Sequence, residues 1–245
     1  MIYRFAHTLT PTMMVSILFC FAAHPVLAQS NIGNKYGLVV IDDANILKNE
    51  IEADPGKKME DLQKAIPSLV LDLRYAGTDN FLHRRLYPPV NSTYLRTAAV
   101  MALQKAVLRL RSDHLALKVF DAYRPYSITQ EMWQSVKDSR YAADPSKGSG
   151  HNRGIAIDLT LIDAATGREL DMGTGFDNFT DSAHGDFTAL PPRVLGNRQL
   201  LKTVMEDAGF VPLDTEWWHF SLPDPAHYEL LDLSFEALQQ LAWQH

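Results

Sequence analysis

The segment Ser149-Gly-His-Asn-Arg-Gly-Ile-Ala-Ile-Asp158 joins a turn with two glycines to the start of an apolar run. The run continues to Leu161, and its isoleucines favour a strand because β-branched side chains suit a pleated sheet. His151 and Asp158 are seven positions apart, so a straight strand would point their side chains to opposite faces. The two glycines offer a bend. We therefore expect His151 in the turn before the strand and Asp158 inside it, over Ile155–Leu161.

A second motif, Glu216-Trp-Trp-His219, lies further along the chain. Its tryptophans and the following Phe220 favour another strand. Glu216 and His219 are three positions apart, so one of them must lie at a kinked strand start if both are to face the same site. We assign that place to Glu216.

The two motifs together supply two imidazoles and two carboxylates, the donor inventory of a catalytic zinc site. Such a zinc takes three protein ligands and keeps a fourth position for water, whose pKa falls to about 7. We assign His151, Asp158 and His219 as the ligands of about one zinc ion per chain. Glu216 is then the unligated carboxylate that takes the proton of the water and later passes it to the leaving amine.

Each motif alone has a simpler interpretation. A histidine beside glycines is usually a turn residue, and Glu-Trp-Trp-His is compatible with an amphipathic edge strand that packs its aromatic rings. The coincidence of both motifs, in this order, favours the metal site. Among the other histidines, His184 is the only rival ligand, and loop histidines of this kind are mostly solvated.

The pattern Ser-x-His-x-x-Gly-x-Ala-x-Asp followed by Glu-x-Trp-His resembles a family of zinc peptidases. That family includes D,D-carboxypeptidases and the VanX-type D-alanyl-D-alanine dipeptidases. Three further segments resemble signatures of the dipeptidase branch: Leu71–Phe81, Phe120–Pro125 and Met172–Asp177. The resemblance runs from about Leu71 to about Leu222, which is most of the chain.

The resemblance implies a role for each matching polar residue. His151, Asp158 and His219 would bind zinc, and Glu216 would be the general acid and base. Arg124 would stabilise the oxyanion, a task that suits a guanidinium because it stays charged and offers fixed donors. The remaining implied contacts are with substrate: Tyr75 and Asp177 at its free amino group, and Ser149 near its carboxylate.

Two of these assignments have plain alternatives. Arg124 could form a structural ion pair with Asp121, which is a common arrangement at this spacing. Asp177 could simply cap the loop that follows it, as short polar side chains often do.

The order of the elements indicates an α+β fold: a single domain with a mainly antiparallel sheet, helices packed on it and the zinc site at the sheet. The resemblance implies a fold like that of hedgehog and D,D-peptidase domains. The clearest helix covers Thr93–Arg111, with Asn91 or Ser92 as its cap. Its apolar stripe consists of Leu95, Ala99, Ala102, Leu103, Ala106, Val107 and Leu110.

The other predicted elements are shorter. They are a helix over Lys57–Ala65, strands over Leu69–Tyr75 and Leu117–Tyr123, a helix over Ser127–Ser139 capped by Ser127, and a helix over Arg198–Ala208 closed by Gly209. Residues 31–55 have mixed polarity and are expected to wrap the surface.

Residues 1–28 have the composition of a signal peptide, with one basic residue, no acid and an apolar run from Met13 to Ala23. Small residues before Gln29 suit cleavage there, which leaves residues 29–245 as a zinc dipeptidase domain in the periplasm or outside the cell. The apolar run is too short for a membrane span, although a retained amphipathic anchor is the alternative. Export is a departure, since the well-known resistance dipeptidases of this family are cytoplasmic. Cys20, the only cysteine, lies inside the leader, so no disulfide supports the fold.

The resemblance implies an exported zinc-dependent enzyme that hydrolyses the small dipeptide D-Ala-D-Ala, without stable membrane insertion after cleavage. Two alternatives stay open: a D,D-carboxypeptidase acting on peptidoglycan stem peptides, and a non-catalytic zinc-containing module that binds peptidoglycan. A serine hydrolase is disfavoured because no Gly-x-Ser-x-Gly motif occurs. The net charge of −6 without a basic cluster is unfavourable for binding nucleic acid. The sequence makes no prediction of the oligomeric state.

Overall fold

The structure is a computed structural model that describes Met1 and residues 34–243. Apart from Met1, the leader assigned to residues 1–28 lies outside the described residues. In the part of the chain that is described, no helix is long and apolar enough to cross a membrane.

Five strands form the central sheet, and helices pack against it. The helices are α1 (Ala44–Ala53), α2 (Leu62–Ala65), α3 (Thr97–Leu110), α4 (Tyr126–Val136), α5 (Pro192–Ala208) and α6 (Phe235–Trp243). In spatial order the strands are β3 (Val70–Leu71), β5 (Leu115–Asp121), β6 (Ala156–Asp163), β8 (Glu216–Ser221) and β7 (Val211–Leu213). The β3–β5 pair is parallel and the other three pairs are antiparallel. The α+β fold with a mainly antiparallel sheet is therefore confirmed.

Two short strand pairs connect distant parts of the chain. Strand β1 (Val40–Ile41) runs parallel to β9 (Leu230–Leu231). Strand β2 (Met59–Asp61) runs antiparallel to β4 (Tyr94–Arg96). The segments outside the central sheet are thus tied by backbone hydrogen bonds as well as by packing.

The apolar stripe predicted for the long helix is buried and packs with α5 and one face of the sheet. Leu103, for example, is fully buried, so a Leu103→Ala change would cost about 2–5 kcal/mol of stability. Strand β6 adds Ile157 and Leu159 to the same core. Because strand side chains alternate, Asp158 between them faces the opposite side of the sheet. The sheet thus turns one face to the core and carries the polar site on the other.

The start of α3 differs from the prediction because part of the predicted helix pairs as a strand. Tyr94–Arg96 forms the ladder with β2, and α3 begins only at Thr97. The predicted cap is also wrong: Ser92 Oγ donates to Asp61 Oδ1. The same pairing replaces the first part of the predicted helix over Lys57–Ala65 with a strand.

Other boundaries differ for equally local reasons. Helix α4 begins at Tyr126, and Ser127 Oγ donates to Asp232 at 2.7 Å instead of capping the helix. Helix α5 begins at Pro192, before its predicted start, since a proline suits the first helical turn. Its end at Gly209, with φ +107°, is as predicted. Residues 31–55, expected only to wrap the surface, contain β1 and α1.

Candidate metal centre and substrate pocket

The turn before β6 depends on its two glycines. Gly154 has φ +70°, and an added Cβ would lie 2.6 Å from Met59 Cε. At Gly150 an added Cβ would lie 2.7 Å from Ser221 Oγ. A side chain at either position would force its neighbours to move. The turn holds the buried His151 just before the strand, where the sequence predicts it.

Strand register brings Asp158 and His219 together. Asp158 in β6 is the direct partner of His219 in β8, and such partners have Cβ atoms about 4.5–5.5 Å apart. On its other side Asp158 pairs with Asp121 at the end of β5. These three side chains form a row across neighbouring strands.

The side chains of His151, Asp158 and His219 converge on one point. His151 Nε2 lies 3.2 Å from His219 Nδ1 and 3.4 Å from Asp158 Oδ2. His219 Nδ1 lies 2.8 Å from Asp158 Oδ1. Among the described residues, this is the group of three potential metal ligands, with its ligand atoms within 4.8 Å of one another. His184, the rival ligand, is not part of it.

The donor set fits a zinc ion. His151 Nδ1 lies 2.7 Å from the carbonyl oxygen of Ala122, which places the proton on Nδ1 and leaves the Nε2 lone pair for a metal. A proton between the two imidazoles would satisfy one nitrogen, whereas a divalent cation at the centre satisfies both nitrogens and the carboxylate. Burial opposes ionisation of Asp158, but His151 and His219 outweigh it and hold the pKa of this carboxyl well below its usual range.

Glu216 stands beside the three converging side chains and is not one of them. It is the first residue of β8, next to an irregularity in the pairing with β7, as the predicted kinked strand start requires. Its Oε2 lies 4.0 Å from His219 Nδ1. Burial raises the pKa of Glu216 to about 7, although His219 opposes the shift. A carboxyl with this pKa can both accept and return a proton near neutral pH.

Arg124 is buried at the end of the same row. Its Nε and Nη2 donate to Asp121 Oδ2 at 3.0 and 2.8 Å, and Tyr87 donates to the other oxygen of Asp121 at 2.9 Å. The structural pair considered from the sequence is therefore present. Nη1 takes no part in the two bonds to Asp121. The ion pair therefore orients the guanidinium but does not use all of its N–H donors.

Tyr75 and Asp177 meet across two segments that have no strand. Tyr75 OH donates to Asp177 Oδ1 at 2.9 Å, and the backbone N–H of Phe81 donates to Oδ2 at 3.2 Å. The carboxylate thus reaches a different segment of the chain, and the interpretation that it caps its own following loop is wrong. Burial raises the pKa of Asp177 to about 7, while the bonds from Tyr75 and Phe81 oppose the shift.

Asn152 holds Ser149 and Arg124 in place, a role that the sequence did not predict. Ser149 N–H donates to Asn152 Oδ1 at 3.0 Å, and Asn152 N–H donates to Ser149 Oγ at 3.2 Å. Asn152 Nδ2 also donates to the carbonyl of Arg124 at 2.9 Å and to Thr129 Oγ1 at 2.8 Å. An Asn inside a glycine-rich turn has many possible hydrogen-bond partners, so only the fold shows which partners Asn152 has.

One cavity of about 240 Å³ is lined by every site residue that the sequence predicts. Ligand pockets for drug-sized molecules measure about 300–1,000 Å³, so this cavity suits a smaller ligand. Its predicted lining residues are Tyr75, Arg124, Ser149, His151, Asp158, Asp177, Glu216 and His219.

Three aromatic rings, which we call the aromatic wall, stand beside Asp177. They are Phe81, Phe179 and Tyr141, from three separate segments. Phe179 packs edge-on against Phe81 with ring centres 5.2 Å apart, and it stacks on Tyr141 at 4.6 Å. Phe81 and Tyr141 line the cavity. The sequence did not predict the wall, because isolated aromatic residues in loops carry no pattern.

Comparisons with known proteins agree with these motifs. A family model described as D-Ala-D-Ala dipeptidase matches residues 56–238. The chain is 38% identical to a D-alanyl-D-alanine dipeptidase of Escherichia coli, over 77% of this chain and 96% of that protein. It is 31% identical to a D-alanyl-D-alanine dipeptidase of Streptomyces coelicolor, over 64% of this chain and 87% of that protein.

Among solved structures, VanYB in complex with D-alanine-D-alanine matches 63% of this chain and 80% of that one. The TM-score is 0.37 and the sequence identity is 15%. A likeness this weak assigns no role to any residue of the chain.

Proposed function

Because the chain belongs to the D-Ala-D-Ala dipeptidase family of metallopeptidases, we propose that it is a zinc enzyme that hydrolyses free D-alanyl-D-alanine to two D-alanines. One observation carries the proposal. A single small cavity is lined by three converging side chains that could hold a metal ion, by the carboxyl of Glu216 beside them, by the guanidinium of Arg124 and by the carboxyl of Asp177.

His151, Asp158 and His219 would hold the zinc ion. When bound, zinc supplies Lewis acidity, which acidifies water and polarises a carbonyl group. The hydrogen bond from His151 Nδ1 to the Ala122 carbonyl fixes the orientation of that imidazole. The direct pairing of their strands sets the spacing between Asp158 and His219.

Glu216 would carry the proton through the reaction. The new C–O bond forms from water to the peptide carbon, and Glu216 accepts the proton that water loses. The C–N bond then breaks, and Glu216 returns the proton to the leaving nitrogen, so atoms and charges balance. Its pKa of about 7 suits both directions of transfer.

Arg124 would hold the oxygen that becomes negative when water adds to the carbonyl. Its ion pair with Asp121 fixes the plane of the guanidinium before substrate arrives. A donor that is already oriented needs no reorganisation during the reaction. Electrostatic stabilisation by such a donor is strongest in a buried site.

Tyr75, Asp177 and Ser149 would bind the two ends of the dipeptide. The Asp177 carboxylate, held by Tyr75, would pair with the free ammonium. Ser149 Oγ accepts from Asn152 N–H, so its own hydrogen is available to the substrate carboxylate. A peptide extended at the amino end would lose the ammonium and run into the aromatic wall, which favours a dipeptidase over a D,D-carboxypeptidase. A non-catalytic module would have no use for Glu216 and Arg124 in the same cavity.

We also propose export of the protein by a signal peptide at residues 1–28, on the composition of that segment. The test is the N-terminal sequence of the protein recovered from the periplasmic fraction or the medium. A start at or near Gln29 supports export, and an intact Met1 in the cytoplasmic fraction contradicts it.

The activity is tested by incubating the zinc-replete protein with D-Ala-D-Ala, L-Ala-L-Ala and a peptidoglycan stem pentapeptide, and measuring released alanine. We expect rapid release from D-Ala-D-Ala alone. Equal release from the pentapeptide would support the carboxypeptidase instead, and no release from any of the three would support the non-catalytic module.

A further inference from the structure

Asp177 lies in a long segment with little regular structure. Residues 164–191, which we call the Asp177 loop, contain one short 3-10 turn at Asp181–Ala183 and a single bridge from Glu169 to β6. Loops longer than about 12–15 residues are uncommon in compact domains and are usually functional when ordered. Side chains from elsewhere must therefore hold this one.

The side chain of Arg198 bonds to this loop at three places. It lies in α5 and is 7% exposed. Its Nε donates to the carbonyl of Met172 at 2.7 Å, its Nη1 to that of His184 at 3.0 Å and its Nη2 to that of Ser182 at 2.8 Å. Met172 precedes Asp177, and the other two follow it. One guanidinium therefore joins the two arms of the loop on either side of Asp177.

Arg198 bonds to backbone oxygens rather than to a carboxylate. Within the described part of the chain its three nitrogen atoms donate to backbone carbonyls, and no ion pair joins it to an acidic side chain. Burial lowers the pKa of Arg198 from its usual value. A buried cation is costly unless it is hydrogen-bonded, and here each nitrogen of the guanidinium donates a charge-assisted bond to the loop. The three bonds thus tie the buried charge to the loop backbone.

The backbone at Asp177 explains why such restraint is needed. Asp177 has φ +57°, in the left-handed region that a residue with a side chain occupies at a cost. A second anchor, from Trp217 Nε1 to Thr174 Oγ1 at 2.8 Å, holds the first arm of the loop. Without these anchors the strained residue can relax and turn its carboxylate away from Tyr75.

We infer that Arg198 is a positioning residue for the amine site: it clamps the Asp177 loop so that the Asp177 carboxylate faces the ammonium group of the substrate. The inference rests on the proposed dipeptidase function. Among the described residues no hydrogen bond or ion pair joins Arg198 to the metal donors or to Glu216, so its effect falls on recognition of the free amine rather than on the chemical step.

The test compares Arg198→Lys with Arg193→Lys, a matched change on the same helix. Arg193 is exposed and forms an ion pair with Asp171 of the loop at 3.1 Å. In Arg198→Lys we expect KM for D-Ala-D-Ala to rise about tenfold or more, with kcat within about threefold and zinc content unchanged. The preference for the free dipeptide over its N-acetyl derivative should fall as well. Arg193→Lys should leave all four quantities close to those of the parent.

A double variant separates positioning from general destabilisation. If Arg198 acts through Asp177, adding Arg198→Lys to Asp177→Asn should change KM little further, because contacting residues in one network are not additive. Multiplied effects on KM, or a fall in kcat and zinc content with KM unmoved, would overturn the inference. Insoluble Arg198→Lys and Arg198→Gln proteins beside a soluble Arg193→Lys would overturn it too, since Arg198 would then support the whole fold.

Amide hydrogen exchange gives a readout that does not depend on activity. Residues 172–184 should exchange faster in Arg198→Lys, while β6 and β8 keep the protection of the parent. A parent that does not hydrolyse D-Ala-D-Ala overturns the proposed function. An active parent whose loop exchange and KM are the same in Arg198→Lys overturns only the role of Arg198.

Discussion

The two halves of the cavity are built differently. The half with Asp158, His219 and Glu216 lies on β6 and β8, where backbone ladders fix the spacing of the side chains. The half with Tyr75 and Asp177 lies on a 3-10 turn and an irregular loop, which side-chain bonds hold in place. The groups that we propose for the chemistry, which needs fixed distances, thus lie on the sheet, and the groups that we propose for recognition of the substrate's free end lie on segments that can vary.

We therefore expect variants of the two halves to have different effects, and we call this expectation the division between the halves. Changes on the sheet should affect metal content or kcat, because those side chains would act on the reacting atoms. Changes at Tyr75 or Asp177 should affect KM and the choice of substrate, because those two side chains would meet only the free amine. A variant of Asp158, Glu216 or His219 that alters selectivity alone, or a variant of Tyr75 or Asp177 that removes zinc, would contradict the division.

The largest effect should follow from loss of a proposed metal ligand. His219→Ala removes one of three donors, so we expect the variant to lose both its zinc and its activity. Metal analysis of the purified protein measures the first, and release of D-alanine measures the second. His184→Ala is the matched control and should keep its zinc. Stoichiometric zinc in His219→Ala would show that the ligand set is wrong.

The next largest effect should come from Glu216. Glu216→Ala removes the proposed general base but none of the proposed ligands. We expect zinc content to match that of the parent while kcat falls by about 10²–10⁴-fold. Loss of zinc together with activity would make Glu216 a ligand and would leave the proton carrier unassigned.

Arg124→Lys should have a smaller effect, and mainly on kcat. Lysine keeps the charge but loses the planar fork that Asp121 orients. Removing one oxyanion donor typically lowers kcat by about 10²–10³-fold. We therefore expect kcat of Arg124→Lys to fall by an amount near the lower end of that range, with a modest change in KM. A rise in KM alone would mean that Arg124 binds the ground-state substrate.

The loop half should add a pH dependence to binding. The Asp177 pKa of about 7 lies above its usual value, so the carboxylate form is lost as the pH falls through about 7. In the proposed function only that form would pair with the substrate's ammonium, and KM for D-Ala-D-Ala should therefore rise by up to about tenfold per pH unit below this point. In Asp177→Asn, KM should be nearly flat over the same range. An unchanged slope in that variant would assign the titration to another group.

The sequence predicted the sheet half better than the loop half, for a physical reason. His151, Asp158, Glu216 and His219 lie in two short motifs whose spacing and glycines already constrain the local geometry. Their convergence needs only that β6 and β8 be neighbours. The mainly antiparallel sheet and the buried stripe of α3 were predictable in the same way, because alternation and helical periodicity are local signals.

What the sequence did not predict depends on contacts between distant segments. Arg198 bonds backbone carbonyls, which any residue supplies, so no sequence pattern marks its partners. The strand at Tyr94–Arg96 looked helical because its pairing with β2 is not encoded locally. The aromatic wall joins three loops, and only the fold brings their rings together.

The most direct test of the division is the ratio of kcat/KM for D-Ala-D-Ala to that for its N-acetyl derivative, in the parent and in Asp177→Asn. Acetylation removes the ammonium and would leave the partly buried carboxylate of Asp177 unpaired, a loss of about 1–3 kcal/mol. We therefore expect the parent to prefer the free dipeptide by about tenfold to a hundredfold or more. Asp177→Asn should lose most of that preference, by losing activity on the free dipeptide while keeping its zinc. A parent that cleaves both substrates equally well, or a variant that keeps the full preference, would contradict the account.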